Sequence, residues 1–139
     1  MMYVAVGEEK SQKRKVTSGV PQGSVLGPIL FLCYINDLPR SVMHSNILLF
    51  ADDTKIYTQV NTVDDMKNLQ IDMDKISEWC ARWQMQLNCD KCKVINFNCN
   101  NIQSSITLAD TPLPVVNCEE DLGVIFDDTL TFEAHINKV

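Results

Sequence analysis

Apolar residues recur along this chain with two different periods, and the switches between them mark the elements. Met66, Leu69, Met73, Ile76, Cys80, Trp83 and Leu87 advance by threes and fours, which gathers them into one stripe on an α-helix. Thr62, with Asp65 three residues on, has the form of a capping box, and Asp64 and Asp65 suit the positive end of the helix dipole. Lys67, Asp72, Lys75, Glu78 and Arg82 fall off the stripe, while Trp79 extends it to one side. Such a stripe predicts packing on a sheet rather than a partner-binding zipper. Each fully buried Trp, Leu or Ile in it contributes roughly 1.5–3 kcal/mol, so the helix should anchor the fold.

Residues 47–60 carry the other period. An apolar run, Ile47, Leu48, Leu49, Phe50 and Ala51, meets two adjacent carboxylates, Asp52 and Asp53. Ile56, Thr58 and Val60 then alternate with Lys55, Tyr57 and Gln59, so the stretch predicts a β-hairpin with an acidic turn. Upstream, Pro21 biases Val20 away from helix, and an extended segment should run through residues 16–23. Ser24 is a good helix cap and Pro28 is tolerated only in a first turn. Nearly continuous apolar content over residues 25–35 predicts a buried helix ending near Asn36 and Asp37, before Pro39. Downstream, residues 92–97 read as a strand and residues 98–105 as a polar loop. Residues 106–109 and 115–118 read as short strands around Asp110, Thr111 and Pro112, and Asp127 and Asp128 read as a turn.

With 139 residues, the chain fits one domain or part of one. No apolar run approaches a membrane span, and no signal peptide opens the chain, so an intracellular protein is expected. A formal charge of −6 argues against a stand-alone nucleic-acid binder, which needs clustered Lys and Arg. The one basic cluster, Lys10, Lys13, Arg14 and Lys15, reads as a solvated loop or strand edge, with a template contact as the alternative. Cys33 and Cys80 fall on apolar helix faces, where free cysteine acts as a small hydrophobe. Cys89 and Cys92 have the half-spacing of a zinc site, but no second pair follows at zinc-finger distance. Free thiols in a reducing compartment are expected.

Two motifs carry candidate chemistry: G-V-P-Q-G-S-V-L-G-P at residues 19–28 and F-A-D-D at residues 50–53. Together they resemble the palm of a reverse transcriptase, of the non-LTR, LINE-type (jockey-like) retrotransposons. The resemblance continues in L-N-x-x-K at residues 87–91, followed by a strand. It extends through L-G-V at 122–124 to L-x-F and H-I near the end, and so covers residues 16–139. It implies an α+β fold, a palm-like antiparallel sheet with packed helices. Residues 1–139 would be a partial reverse transcriptase domain, without fingers and ending where the thumb begins.

The resemblance also assigns roles. Asp52 would be the direct ligand of Mg²⁺ or Mn²⁺ and Asp53 the supporting one. Pro21, Gln22, Gly23, Ser24, Phe50 and Ala51 would face the incoming nucleotide and template, with Ser24 capping the helix beneath. Leu122 and Gly123 would belong to the primer grip. Lys91 matches the lysine beside the leaving pyrophosphate, with an exposed helix-end charge as the alternative reading and Lys93 near enough to be confused with it. RNA template, DNA primer and deoxynucleoside triphosphate are the implied partners, and no membrane.

The residue types suit that chemistry. Nucleotidyl transfer uses divalent cations that activate the primer hydroxyl and bridge the triphosphate, and such cations take carboxylate oxygens. Two carboxylates ~4 Å apart repel by about 4 kcal/mol at a surface-like dielectric, so an acidic turn needs a cation, solvent or diverging side chains. One departure stands out. The family carries a further metal-binding aspartate upstream of G-V-P-Q-G, yet residues 1–20 contain no Asp, and Glu8 and Glu9 match nothing. The expectation is a palm fragment with weak or absent metal binding, inactive alone and self-associating through exposed apolar surface. The alternative is a non-enzymatic α/β interaction module built on the same scaffold.

Overall fold

Residues 1–16, 19–20, 23–97 and 105–139 are described by the computed structural model, in two units, Met1–Asn36 and Asp37–Val139. In the first unit, β1 (Ala5–Val6) pairs antiparallel with β2 (Glu9–Lys10), and Met2 bridges Arg14. The Lys10 ammonium lies 5.8 Å from the centre of the Tyr3 ring. The basic cluster is therefore an exposed strand edge and its continuation. Pro21 and Gln22 lie outside the described residues.

Helix α1 (Gly27–Ile35) starts three residues later than Ser24, yet the Ser24 hydroxyl still accepts the Gly27 N–H at 3.1 Å, and Pro28 falls in the first turn. The expected burial of this helix is found at Ile35, 3% exposed, but not along most of its length. Val25 is 88% exposed and Leu26 63%, and Ile29, Leu30 and Leu32 each remain more than half exposed. Cys33 is exposed as well, against expectation. A helix that is apolar all round needs cover on every side.

The second unit opens with a 3₁₀ turn, Leu38–Ser41, followed by the hairpin of β3 (Asn46–Phe50) and β4 (Asp53–Tyr57). Helix α2 (Val63–Trp83) comes next, with the capping box as expected: the Thr62 hydroxyl accepts the Asp65 N–H, and the Asp65 carboxylate accepts the Thr62 N–H. A 3₁₀ turn, Cys89–Lys91, leads to β5 (Val94–Ile95), then β6 (Thr107–Leu108), β7 (Thr111–Pro112) and β8 (Val115–Val116). Strands β9 (Cys118–Asp121) and β10 (Val124–Asp127) form a hairpin before α3 (Glu133–Lys138).

This is an α+β chain, but its described strands form five two-stranded pairs rather than one sheet. The stretch around residue 110 also differs from expectation. Thr111 and Pro112 are themselves strand, paired with β6, while β8 pairs in parallel with β5. Ala109 and Asp110 both adopt positive φ (48° and 62°), which gives the tight reversal that a two-residue hairpin turn demands. Of the sequence-read strand at residues 92–97, Val94 and Ile95 alone are in a ladder.

The core gathers on α2. Met73 is buried with Ile106, Leu108 and Leu113, and Ile56, Met66, Leu69, Leu87, Cys89, Cys92 and Val94 pack around them. Polar side chains of the same helix hold the β6–β7 hairpin. Gln70 accepts the Thr107 N–H at 2.9 Å and donates to its carbonyl at 3.1 Å, and the Ser77 hydroxyl accepts the Ala109 N–H at 3.1 Å.

Three readings of the stripe change. The helix stops at Trp83, because Gln84 turns left-handed (φ 59°), so Leu87 reaches the core from the loop beyond. Trp79, taken as lateral, is 6% exposed, while Trp83, placed on the stripe, is 46% exposed. The cause is polar as well as apolar: the Trp79 indole N–H donates to the Asp37 carboxylate at 3.1 Å. Third, Asp72 lies off the stripe but is fully buried, since it accepts three backbone N–H groups.

Trp79→Ala should therefore lower the unfolding free energy by about 3–5 kcal/mol, the usual cost of a large core truncation. Trp83→Ala should cost about 1 kcal/mol or less, as surface changes do. Urea denaturation checks both, and equal losses would contradict the burial assigned to Trp79.

Candidate active site

Strands β3 and β4 pair so that Phe50 faces Asp53 across the ladder, leaving Ala51 and Asp52 as a two-residue turn. Alternation turns Ile47 and Leu49 inward and leaves Leu48 (54% exposed) and Phe50 (63% exposed) outside. Ala51 has φ 51°, the left-handed region, which costs a residue with a Cβ about 1 kcal/mol or more and recurs where function fixes the backbone. The apolar run thus ends in a sharp reversal that lifts both acids into water. Asp52 and Asp53 are exposed. Among the described residues, neither carboxylate has a hydrogen-bond or ion-pair partner.

A second tight turn stands at the end of the other hairpin. Leu122 and Gly123 both have positive φ (47° and 84°) between paired Asp121 and Val124. This is the two-residue geometry in which glycine is preferred. The two hairpins are joined directly, because the Lys55 ammonium of β4 pairs with the Asp121 carboxylate of β9. Sequence reasoning missed this contact, which links residues 66 positions apart with no shared pattern.

The lysines separate. Lys93 pairs with Glu119 at 2.6 Å, which ties β5 toward β9. Lys91 ends the 3₁₀ turn Cys89–Lys91, exposed, with no ion-pair partner among the described residues. Cys89 and Cys92 donate to carbonyls of Leu108 (3.6 Å) and Asn88 (3.4 Å). Burial, reinforced by the neighbouring Cys89, pushes the Cys92 thiol up.

The chain reverses again at Asp127. Its carboxylate accepts the hydroxyls and N–H groups of Thr129 and Thr131 and the N–H of Phe132, at 2.5–3.0 Å. The turn at Asp127 and Asp128 is thus a side-chain-pinned corner. The signal was legible: an acid with Thr two and four residues on can fold back on its own backbone. Beyond the corner, His135 Nδ1 accepts the Ile125 N–H at 3.5 Å, a packing role.

Phe50, Ala51, Asp52 and Asp53 therefore share one turn, and the Lys55–Asp121 pair ties it to the turn of Leu122 and Gly123. No described contact joins Lys91 to either. Gly23 and Ser24 lie in the other unit.

A family description, Reverse transcriptase (RNA-dependent DNA polymerase), matches residues 1–123. The chain belongs to the reverse transcriptase family. It is 32% identical, over 93% of its length, to the probable RNA-directed DNA polymerase from transposon X-element of Drosophila melanogaster. It is also 30% identical over 99% of its length to the RNA-directed DNA polymerase from mobile element jockey of that species, and 31% over 94% to its counterpart in Drosophila funebris. It spans 15–16% of the length of these relatives. No solved structure matches the chain.

In a reverse transcriptase segment the donor set at the acidic turn suits a hard cation. Mg²⁺ is commonly held by one or two carboxylates, with phosphate and water filling the octahedron, and two unpartnered carboxylates are what Asp52 and Asp53 offer. Among the described residues, no group of three or more His, Cys, Asp or Glu could hold a metal by itself. No described helix is long and apolar enough to cross a membrane.

The Asp127 corner makes the hairpin of the second turn acid-sensitive. The Thr129 hydroxyl first, then the Thr131 N–H and hydroxyl, hold the Asp127 carboxyl well below its ordinary value of 3.8. A depressed folded value stabilises fully above the unfolded one and is lost as pH falls through the folded one. Amide exchange at Thr129, Thr131 and Phe132, corrected for its intrinsic rate, should therefore speed up progressively below about pH 4. In Asp127→Asn it should be fast already at neutral pH and lose that dependence.

Proposed function

We propose that residues 1–139 are the palm portion of a retrotransposon reverse transcriptase, with a palm-like arrangement of hairpins around α2, and that the acidic turn is its metal-binding end. The observation that carries this reading is the pair of exposed carboxylates, without a partner among the described residues, on a strained turn at the tip of β3–β4, in a chain of this family. The reaction is transfer of a deoxynucleotide onto a DNA primer copied from RNA. Mg²⁺ or Mn²⁺ bound there would supply activation of the primer hydroxyl and charge neutralisation on the triphosphate. Asp52 holds the cation directly and Asp53 supports it. Phe50 and Ala51 border the nucleotide, and Pro21, Gln22, Gly23 and Ser24 keep the nucleotide- and template-binding assignment of their own motif. Leu122 and Gly123 hold the primer end.

Lys91 is the better candidate for the leaving-group side. Glu119 engages Lys93, whereas the Lys91 ammonium has no ion-pair partner among the described residues and could face a pyrophosphate, where a positioned proton donor speeds departure. The 139-residue chain offers two carboxylates in matching context, so by itself it should not extend a primed RNA template.

Grafting residues 1–139 into the matching segment of an active reverse transcriptase tests these roles. The chimera should make DNA on RNA with Mg²⁺. Asp52→Asn should abolish synthesis, Asp53→Asn should reduce it less, and Lys91→Ala should slow the chemical step by about 10²–10⁴-fold. An active chimera indifferent to Asp52→Asn places the catalytic carboxylate elsewhere.

A second reading, a non-enzymatic interaction module, is favoured by one observation: several apolar residues of α1 and its approach stay exposed, Val25 at 88%, Leu26 at 63% and Leu32 at 57%. Contiguous apolar surface of this kind promotes association. The isolated chain should sediment as concentration-dependent oligomers, and Leu26→Glu with Leu30→Glu should return it toward a monomer.

A further inference from the structure

Residues 43–45 belong to no helix or strand, yet their backbone N–H groups converge on one carboxylate. Met43 donates to Asp72 Oδ1 at 2.9 Å, and His44 and Ser45 donate to Oδ2 at 2.8 and 2.7 Å. Asp72 is 0% exposed. Hydrogen bonds to an ionised carboxylate are short and strong, and away from water each one lost leaves a donor unsatisfied.

The two ends of this clamp matter for the acidic turn. On one side, α2 is fixed in the core next to Asp72, through Met73 with Ile106, Leu108 and Leu113. On the other, the residue after Ser45 opens β3, which runs without interruption to Phe50, directly before Ala51, Asp52 and Asp53. A strand has a nearly constant rise per residue, so holding the backbone that enters it sets how far away its end lies, and Ile56, paired with Ile47 and packed on the α2 core, sets its direction.

We propose that Asp72 is a positioning residue for the acidic turn: by holding the backbone of residues 43–45 it sets where β3 delivers Asp52 and Asp53 relative to α2. The consequence for metal binding rests on the reading of those two residues given above. Desolvation opposes ionisation of Asp72, and the N–H donors of Met43, His44 and Ser45 outweigh it, keeping the carboxyl below its ordinary range. The clamp is therefore charged at neutral pH.

The test uses the whole 139-residue chain. By NMR, the Met43, His44 and Ser45 amides should be protected from exchange although they lie in no regular element. Asp72→Asn should raise their exchange about tenfold or more, the size expected for one hydrogen bond to a charged group. It should also shift amide resonances along β3 as far as Asp53, while Met73, Ile106 and Leu108 stay protected. Mn²⁺ binding, read from paramagnetic broadening at Asp52 and Asp53, should weaken roughly tenfold, as for other groups that orient metal ligands.

If Asp72→Asn does not fold, Met43→Pro decides. It removes one donor where Val42 is already extended (ψ 132°), as a residue before proline must be, and it should shift the same β3 resonances. Unprotected amides at residues 43–45 in the unaltered chain overturn the proposal. So does a disturbance confined to those residues with β3 and the turn unmoved. Absence of Mn²⁺ broadening in an unaltered chain with a protected clamp removes the metal reading of the turn instead, and the β3 resonances still decide the positioning role.

Discussion

Helix α2 has to bury Met73, Ile76, Trp79 and Cys80, and the second unit is arranged around that requirement. Its stripe accepts the hairpin of β6 and β7 through Leu108 and the neighbouring Ile106 and Leu113, while Ile56 of β4 closes the same cluster from another side. Strands of two residues have little ladder of their own and take their positions from the helix they cover. That is why the polar groups of α2 matter as much as the apolar ones. Gln70 and Ser77 hold the β6–β7 hairpin by its backbone, and Asp72 holds the approach to β3.

The same helix therefore supports a site to which it contributes no reacting group. Asp52 and Asp53 stand at the tip of a two-stranded hairpin, and an isolated hairpin is marginal in water. Three attachments stiffen it: Ile56 in the core, the Asp72 clamp at the start of β3, and the Lys55–Asp121 pair toward the hairpin of Leu122 and Gly123. The last pair is partly exposed and contributes little to stability. Its weight is geometric, since it relates the turn that bears the carboxylates to the turn proposed to hold the primer. Rigid support with exposed acids is the combination that the proposed metal-binding role needs.

The G-V-P-Q-G stretch and the F-A-D-D stretch are read as one site from their motifs, while the structure describes them in separate units with Pro21 and Gln22 outside the described residues. Lys91 and Lys93 illustrate the opposite case. Two positions apart in sequence, they are equivalent by motif alone, and Glu119, contributed from β9, sets them apart.

What the sequence by itself determined is whatever short-range periodicity and local chemistry control. The start of α2 and its capping box, the acidic hairpin and the candidate carboxylates follow from residues within a few positions of each other, and the resemblance to the reverse transcriptase family from short motifs spaced along the chain. Tertiary structure alone decided matters of long-range placement. Trp79 is buried and Trp83 is not, because Asp37 reaches the indole of the first from 42 residues away. Asp72, acidic and off the stripe, is buried because three N–H groups from residues 43–45 come to it. Helix α1 is exposed despite its composition, because apolar content states a need for cover without saying what supplies it. Periodicity fixes which face of an element seeks the core; only the packed chain fixes which polar groups meet partners there, and so which of them can be buried.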